Sequence, residues 1–540
     1  IGVQLKFVDS IDKAMEFKRW VGERKAGTMC YDTETTGLRP DFDRIRLAQF
    51  GDQQTGWAIP FERWGGVVME VLRDYEGPLG THNLKYDARM TMHEEPSFKW
   101  PWHRSDDSMA LAHLANPTRP KGLKPLSARL VDPQAIAGQK KLDQDMAKYG
   151  WDWSTVPLDW PSYWIYGALD PVLTSHNLEA LDGARRQYQE IYDLELGVTR
   201  VVAKMEKYGV RVDVPYMEQK QQDLLAFIQD SHQWLADNWK LFNPTPLGLV
   251  KWFTEQGVKM LDKKTKKGYQ AMDKDVLKSI DHPVAKAVLN MRKAEKLLNP
   301  YVHAFLNKRD EADRLHANFW TMGTRTARMS ITDPALQTLP KKDTTIRTGV
   351  IPSEGHTLIS FDMDQVEARL MAHFAGSQTM VDAFLGDDDF FCVVASEIFH
   401  DTITNKKDPR RQTSKSGVYG KIYGGGAETL ATVAGVPIAD MESFLAGFDR
   451  KFPEVSRLQW QLQDLAKKRQ KADGESWIRT PTGRRMVADE DMEYTLTNYL
   501  IQTHAAEIMK KKVVQLDAML PEEAHLMLLV HDEILLEAPT

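Results

Sequence analysis

Asp362 closes the apolar run TLISFD, and Asp532 sits between two further apolar runs in HLMLLVHDEILLEA. Each acid follows a stretch that reads as a β-strand, where a terminal side chain can point into a cleft. A lone Asp at a strand end carries little information, because turns favour Asp in any case. Between the two lies RRQTSKSGVYGKIYGGG, which spaces Arg411, Lys415, Tyr419 and Tyr423 four residues apart. On a helix a step of four drifts by only about 40°, so the four side chains line one stripe. Two carboxylates able to hold metal ions, faced by a cationic and aromatic stripe, suit a nucleoside triphosphate. The fold must therefore set strands carrying the acids opposite a helix carrying the stripe.

A chain of 540 residues is too long for one core, so about two to four domains are expected. No apolar run approaches the roughly 20 residues needed to span a membrane. No basic-then-apolar leader precedes the first strand. Residue 1 is Ile and the chain stops just after a strand-like run, so trimmed ends are expected. Two cysteines, Cys30 and Cys392, exclude a disulfide framework or a cysteine-rich zinc site and fit a reducing, cytoplasmic-type compartment. The net charge of −6 argues against a surface coated in positive charge, yet a local basic patch remains open. Lys263, Lys264, Lys266 and Lys267 are candidates for phosphate contact, or simply a solvated loop.

Residues 1–185 alternate strand-like and helix-like segments (KFVD, DKAMEFKRWVGE, TMCYDTE, IRLAQFG), the pattern of an α/β domain. Residues 186–310 read as mainly helical, and strand-like runs return after 311. In the first segment YDTETTGL places Asp32 and Glu34 two apart, so a strand there points both carboxylates to one face. HNLKYDARM adds Asp87, and YGALD adds Tyr166 and Asp170 at helical i, i+4 spacing. Four acids with a tyrosine to orient water suit a two-metal hydrolytic site, since hard cations such as Mg²⁺ prefer carboxylate oxygens. Taken singly, each acid is as readily a cap or a surface charge.

The ordered set DxE, NxxxD, YxxxD resembles the DnaQ-like 3′–5′ exonuclease family, which implies that Asp32, Glu34, Asp87 and Asp170 are metal ligands and Tyr166 a catalytic neighbour. The remainder resembles the family A DNA polymerases, the group of bacterial DNA polymerase I and several phage replicases. FDMDQVEARL is similar to that family's DYSQIELR motif, RRQTSKSGVYGKIYG to its fingers helix, VHDE to its third motif, and TARMSITDPALQTLP to its TGRLSSTDPNLQNIP segment. NYLIQTHAAEIMK resembles the palm helix, and HPVAKAVLNMRKAEKLLNPYV a thumb helix.

The resemblance implies α/β plus α+β domains: an RNase H-like exonuclease domain (1–185) followed by a right-hand polymerase. The latter divides into a thumb region (186–310), palm (311–374), fingers (375–480) and second palm segment (481–540). It implies metal ligation by Asp362, Asp532 and the backbone carbonyl of Met363, with two Mg²⁺ per active site and Mn²⁺ as a substitute. Arg411 and Lys415 would meet the β- and γ-phosphates, with Lys415 also a proton donor to the leaving pyrophosphate. Tyr419 and Tyr423 would flank the base, and Glu367, hydrogen-bonded to Tyr423, would exclude a ribose 2′-hydroxyl. Relatives carry Phe or Tyr at Tyr419, and Tyr goes with acceptance of dideoxynucleotides. Arg328, Gln337, Asn498, Gln502 and His531 would contact the minor groove or primer terminus. Gly420, Gly424, Gly425 and Gly426 suggest close approach of backbone to a base pair.

Three positions depart from the family pattern. Met363 and Asp364 replace Tyr and Ser, and Phe391 stands where many relatives place a His near the triphosphate. The partners expected are primer-template DNA and dNTPs, with no membrane and a monomeric chain in the cytoplasm, that of the host cell if phage-encoded. The thumb region is too short for a long processivity insertion, which favours a stand-alone phage-type replicase. A nuclease-dominant repair enzyme whose polymerase half mainly binds DNA, and a non-catalytic primer-binding module, are the competing readings. Intact Asp362, Asp532, Arg411 and Lys415 argue against both, because binding alone needs no metal-holding acids.

Overall fold

Alternation of strands and helices over the first segment produces a six-stranded sheet in the order Gln4–Phe7, Thr55–Pro60, Ile45–Gly51, Met29–Thr35, Leu79–Thr81, Ser105–Asp107. The computed structural model describes residues 2–24, 27–339, 344–530 and 532–540. The sheet is mixed: Ile45–Gly51 runs antiparallel to both neighbours, and the other pairings are parallel. Ile45–Gly51 and Thr55–Pro60 are buried along their whole length, as befits strands covered on both faces. Phe17, Trp20, Val68 and Leu72 from helices Ile11–Gly22 and Phe61–Asp74 share a core with Phe50 and Trp57 of these strands. Helix Pro161–Ala180 also packs on the sheet. A Cβ on Gly56 would lie 1.9 Å from the carbonyl of Ala168, so glycine there lets this helix rest directly on the strand.

Residues 186–310 are mainly helical, as expected, with Gln189–Tyr208, Val214–Trp239 and Pro283–Leu297 the long elements. Val214–Trp239 buries only Met217 and Leu235, and Leu235 belongs to a small separate core with Leu249, Phe253, Leu277 and Val288. The second principal sheet has three antiparallel strands, His356–Asp362, Glu533–Pro539 and His525–Val530, with Glu533–Pro539 in the middle and Asp362 opposite Glu533. Leu526, Leu528, Ile534 and Leu536 of this sheet share a core with Val198, Val202, Met509 and Val513. Helix Leu496–Met519 ties three cores together: Met509 and Val513 in this one, Ile501 and Ala505 in the helical body around Phe390, Val418 and Phe444, and Leu496 and Leu500 beside Ile478. Among the described residues no helix is long and apolar enough to cross a membrane.

Buried charges bolt the first sheet unit to the rest. Lys85 and Arg89, on the helix Leu84–Glu94, both donate to Glu206 of Gln189–Tyr208, and the Phe319 amide donates to the same carboxylate at 2.6 Å. Arg89 and Glu206 are 5% and 3% exposed, so these ion pairs are satisfied from several sides, as burial demands.

Candidate active sites

The strand pairing brings Asp362 and Asp532 together through the backbone. The N–H of Met363 donates to the carbonyl of Asp532 at 3.1 Å, directly beyond the Asp362–Glu533 pair. Both acids thus stand at one end of the three-stranded sheet, Asp362 exposed and Asp532 half-buried. Asp364, the acid added to this motif, is held outward by Arg369, whose Nη2 lies 3.1 Å from its carboxylate.

Helix Pro409–Tyr423 supplies the stripe. A cavity of about 450 Å³ is lined by Lys415, Tyr419 and Tyr423 from that helix, by Glu367 and Arg328, and by Met363 and Asp532 just beyond the strand ends. The Tyr419 and Tyr423 rings stack with centroids 6.1 Å apart at 16°, and Phe391 lies behind Tyr419 at 5.8 Å. The Phe391 ring also stands 5.6 Å from the Arg411 guanidinium and 5.9 Å from the Lys415 ammonium, giving both cations an aromatic wall. Burial, then the charges of Asp532, Asp364 and Asp362, push the Tyr419 phenol above its usual pKa, so it stays protonated at neutral pH. Glu367, only 7% exposed, accepts from Tyr423 Oη at 2.5 Å and from Arg328.

Arg411 departs from the expected arrangement. Its Nε and Nη2 donate to the two oxygens of Asp389 at 2.9 and 2.8 Å, so its fork is occupied by a carboxylate of the neighbouring helix. Burial raises the pKa of Asp389, but Arg411 and the Cys392 amide outweigh it and hold the acid below its ordinary range. Two of the glycines have a local explanation as well. Gly424, at φ 72°, is the left-handed cap that ends the helix. A Cβ on Gly420 would lie 2.2 Å from Leu430 Cδ1, so helix packing accounts for that glycine without a base pair.

Among the residues expected to touch DNA, Arg328 and Gln502 flank this cavity: Arg328 is on Glu367, and Gln502 accepts from Thr326 at 3.3 Å. Asn498 lies one turn before Gln502 on the same helix, with a buried Oδ1 that has no partner among the described residues. Gln337 is half-buried in the short helix Leu336–Thr338. His531 lies outside the described residues.

The second site forms on the six-stranded sheet. Asp32 and Glu34 project from Met29–Thr35, and Asp170 from Pro161–Ala180; one oxygen of each lies within 4.8 Å of the others. Asp87 arrives from Leu84–Glu94 and accepts from Thr33 Oγ1 at 2.8 Å. That helix begins at Asn83, whose φ of 75° and N–H, with that of Leu84, are held by the Asp107 carboxylate at 3.1 Å each. Enclosure pushes the Asp32 carboxyl up to about 7 against the opposing pull of Lys124. Enclosure and the Asp32 charge likewise raise Glu34 and Asp87. Tyr166, one turn before Asp170, has its phenol raised by burial and by the charges of Glu34 and Asp32. Hard oxygen donors at this spacing, short of positive charge, fit a divalent cation.

Two residues of these sites escaped the sequence reading. Asp389 had a usable signal, since an acid directly before FFCVV marks a helix N-cap, and its carboxylate does accept from the Cys392 N–H at 3.0 Å. Lys124 had none. Its ammonium is hydrogen-bonded to Asp170, and burial pushes its pKa down to about 8 while Glu34 and Asp32 pull it back up.

The sequence profile described as DNA polymerase family A matches residues 216–540. The chain is 30% identical to the DNA polymerase of Mycobacterium phage D29, across 95% of this chain and 87% of that protein. It is 27% identical to the DNA polymerase of Mycobacterium phage L5 over the same shares. It is 28% identical to DNA polymerase I of Bacillus subtilis across 65% of this chain, which spans 42% of that longer protein. The fold is that of the POL domain of Pol1 from M. smegmatis, solved in complex with DNA primer-template and dNTP. The TM-score is 0.80 at 23% identity, covering 99% of this chain and 93% of that one.

Proposed function

The chain belongs to DNA polymerase family A, and from that premise we propose that it is a template-directed DNA polymerase with a 3′–5′ proofreading nuclease in the same chain. The observation that carries the first part is the cavity where Asp532, Lys415, Tyr419, Tyr423 and Glu367 converge beside Asp362. We assign residues 1–185 to the nuclease, 186–310 to the thumb region, 311–374 and 481–540 to the palm, and 375–480 to the fingers. The protein acts as a monomer on primer-template DNA and dNTPs.

Asp362, Asp532 and the Met363 carbonyl would hold divalent cations, Mg²⁺ by the hardness of these donors. Ions held there would supply alignment of the primer 3′-oxygen with the α-phosphorus and charge neutralisation at the leaving pyrophosphate. Around them, Lys415 binds the β- and γ-phosphates as a mobile point charge, and Arg411 does so once its fork leaves Asp389. The stacked Tyr419 and Tyr423 rings give the incoming base a flat floor. Glu367, fixed between Arg328 and Tyr423, fills the space a 2′-hydroxyl would need.

The nuclease reading is favoured by the convergence of Asp32, Glu34 and Asp170 with Asp87 alongside, a donor set that fits hard divalent cations. Tyr166 would orient the attacking water.

A primer-extension assay with and without dNTPs tests both halves. Extension is expected with dNTPs and shortening without them. Asp362→Ala or Asp532→Ala should abolish extension and leave shortening intact, and Asp32→Ala with Glu34→Ala should do the reverse. A palm variant that folds normally yet loses both activities would overturn the two-site reading, and a wild-type chain that never extends a primer would overturn the polymerase reading.

A further inference from the structure

We propose that Lys124 is the resident counter-cation of the Asp32–Glu34–Asp170 cluster, and that its ammonium group competes with a divalent ion for Asp170 and so sets how tightly the cluster takes metal. The inference rests on reading that cluster as the nuclease metal centre.

Geometry carries it. Lys124 lies on the helix Leu123–Leu130, and its residue is 6% exposed, which is rare for a lysine unless it is paired. Its Nζ donates to Asp170 Oδ1 and stands 4.1 Å from the centroid of the Tyr166 ring. Two groups on one face of Pro161–Ala180 therefore fix the ammonium, one by charge and one by its π face. Asp170 is itself within 4.8 Å of Asp32 and Glu34, so the ammonium enters the same concentration of negative charge.

Three carboxylates this close repel one another strongly in a site of reduced dielectric, and at least one cation is needed for them to stay ionised together. A lysine provides that cation as a compact charge on a flexible stem, which can withdraw when a stronger one arrives. A divalent ion that uses the Asp170 oxygen must displace Nζ from it. Lys124 thus keeps the acids assembled before metal binds and opposes metal entry at that oxygen. An uncharged side chain at 124 should loosen the metal-free cluster and tighten its hold on metal.

The test uses the full chain carrying Asp362→Ala and Asp532→Ala, which removes the other acid pair as a competing site. Mn²⁺ binding is measured without DNA from the electron paramagnetic resonance of free Mn²⁺, alongside the thermal midpoint with and without Mn²⁺. Lys124→Met and Lys124→Gln should each bind Mn²⁺ more tightly, on the order of ten-fold for the Met variant. Their midpoints should fall without metal and recover with it. If Lys124→Met does not fold, the Gln variant decides. Adding Asp32→Ala and Glu34→Ala to the parent should abolish the binding. Unchanged or weaker Mn²⁺ affinity at 124, with binding still dependent on Asp32 and Glu34, overturns the role of Lys124 alone. Binding that ignores Asp32 and Glu34 overturns the metal-centre reading and this proposal with it.

Discussion

Asp389 clamps Arg411 through both of its carboxylate oxygens, at 2.9 Å from Nε and 2.8 Å from Nη2. The pair sits at the junction of two helices, with Asp389 capping Phe390–Phe399 and Arg411 in the first turn of Pro409–Tyr423. A bidentate fork is a strong, directional arrangement, and a triphosphate oxygen would need the same N–H groups.

Asp389→Asn keeps a good N-cap while removing the charge that competes for Arg411. The KM for dNTP should fall several-fold, on the order of the 1 kcal/mol or less that a partly exposed pair is worth. Steady-state single-nucleotide incorporation measures it. A raised KM would mean instead that Asp389 aims Arg411 at the triphosphate.

Glu367 should exclude ribonucleotides. Its carboxylate is pinned by Arg328 and by Tyr423 Oη at 2.5 Å, so it cannot swing away from a 2′-hydroxyl. Glu367→Ala should raise ribonucleotide use relative to deoxynucleotide use by roughly a hundred-fold or more, measured as the ratio of kcat/KM values. An unchanged ratio would place the sugar elsewhere.

What the sequence made legible was local and periodic. The four-residue spacing of Arg411, Lys415, Tyr419 and Tyr423 needs only one helix to become a stripe, and Asp32 with Glu34 needs only one strand to share a face. Apolar runs before Asp362 and Asp532 likewise announced the sheet that brings them together. Partners across the chain were not legible. Lys124 meets Asp170 over 46 residues, and Lys85 meets Glu206 over 121, with no local pattern to report either contact. Gly420 shows the converse limit, since its sequence context suggested a ligand and its neighbour is Leu430.

Glu195 should be costly to neutralise. Lys510 Nζ donates to its oxygens at 2.7 and 2.8 Å and Arg484 Nη2 at 2.5 Å, while Arg484 Nε donates to Glu507 at 2.8 Å. All four residues are at most 2% exposed. Glu195→Gln leaves two buried cations short of one negative charge, which should destabilise the chain by about 3–5 kcal/mol in urea denaturation. Adding Lys510→Met should recover part of that loss, and simple additivity of the two losses would show that the charges are not coupled.

Tyr419 should govern the response to dideoxynucleotides. Its ring is held between Tyr423 at 6.1 Å and Phe391 at 5.8 Å, and its phenol, raised by burial and then by the charges of the acids, stays protonated in a cavity that Asp532 also lines. A bound triphosphate would lie between that hydroxyl and Lys415, because both line the same cavity. The 3′-hydroxyl of a normal nucleotide is expected to hydrogen-bond there, and in a dideoxynucleotide the phenol should take the place of the missing group. A hydrogen bond to a charged acceptor is worth about 1.5–3 kcal/mol, or roughly 10- to 100-fold in rate. The wild-type chain should therefore incorporate dideoxynucleotides nearly as well as normal ones, and Tyr419→Phe should restore discrimination of that size. Single-nucleotide kinetics with ddNTP and dNTP measure it, in a chain carrying Asp32→Ala and Glu34→Ala so that terminators are not excised. Strong discrimination by the wild-type residue would shift the cause to Phe391, whose ring stands against Arg411, Lys415 and Tyr419 where a polar side chain would otherwise meet the phosphates.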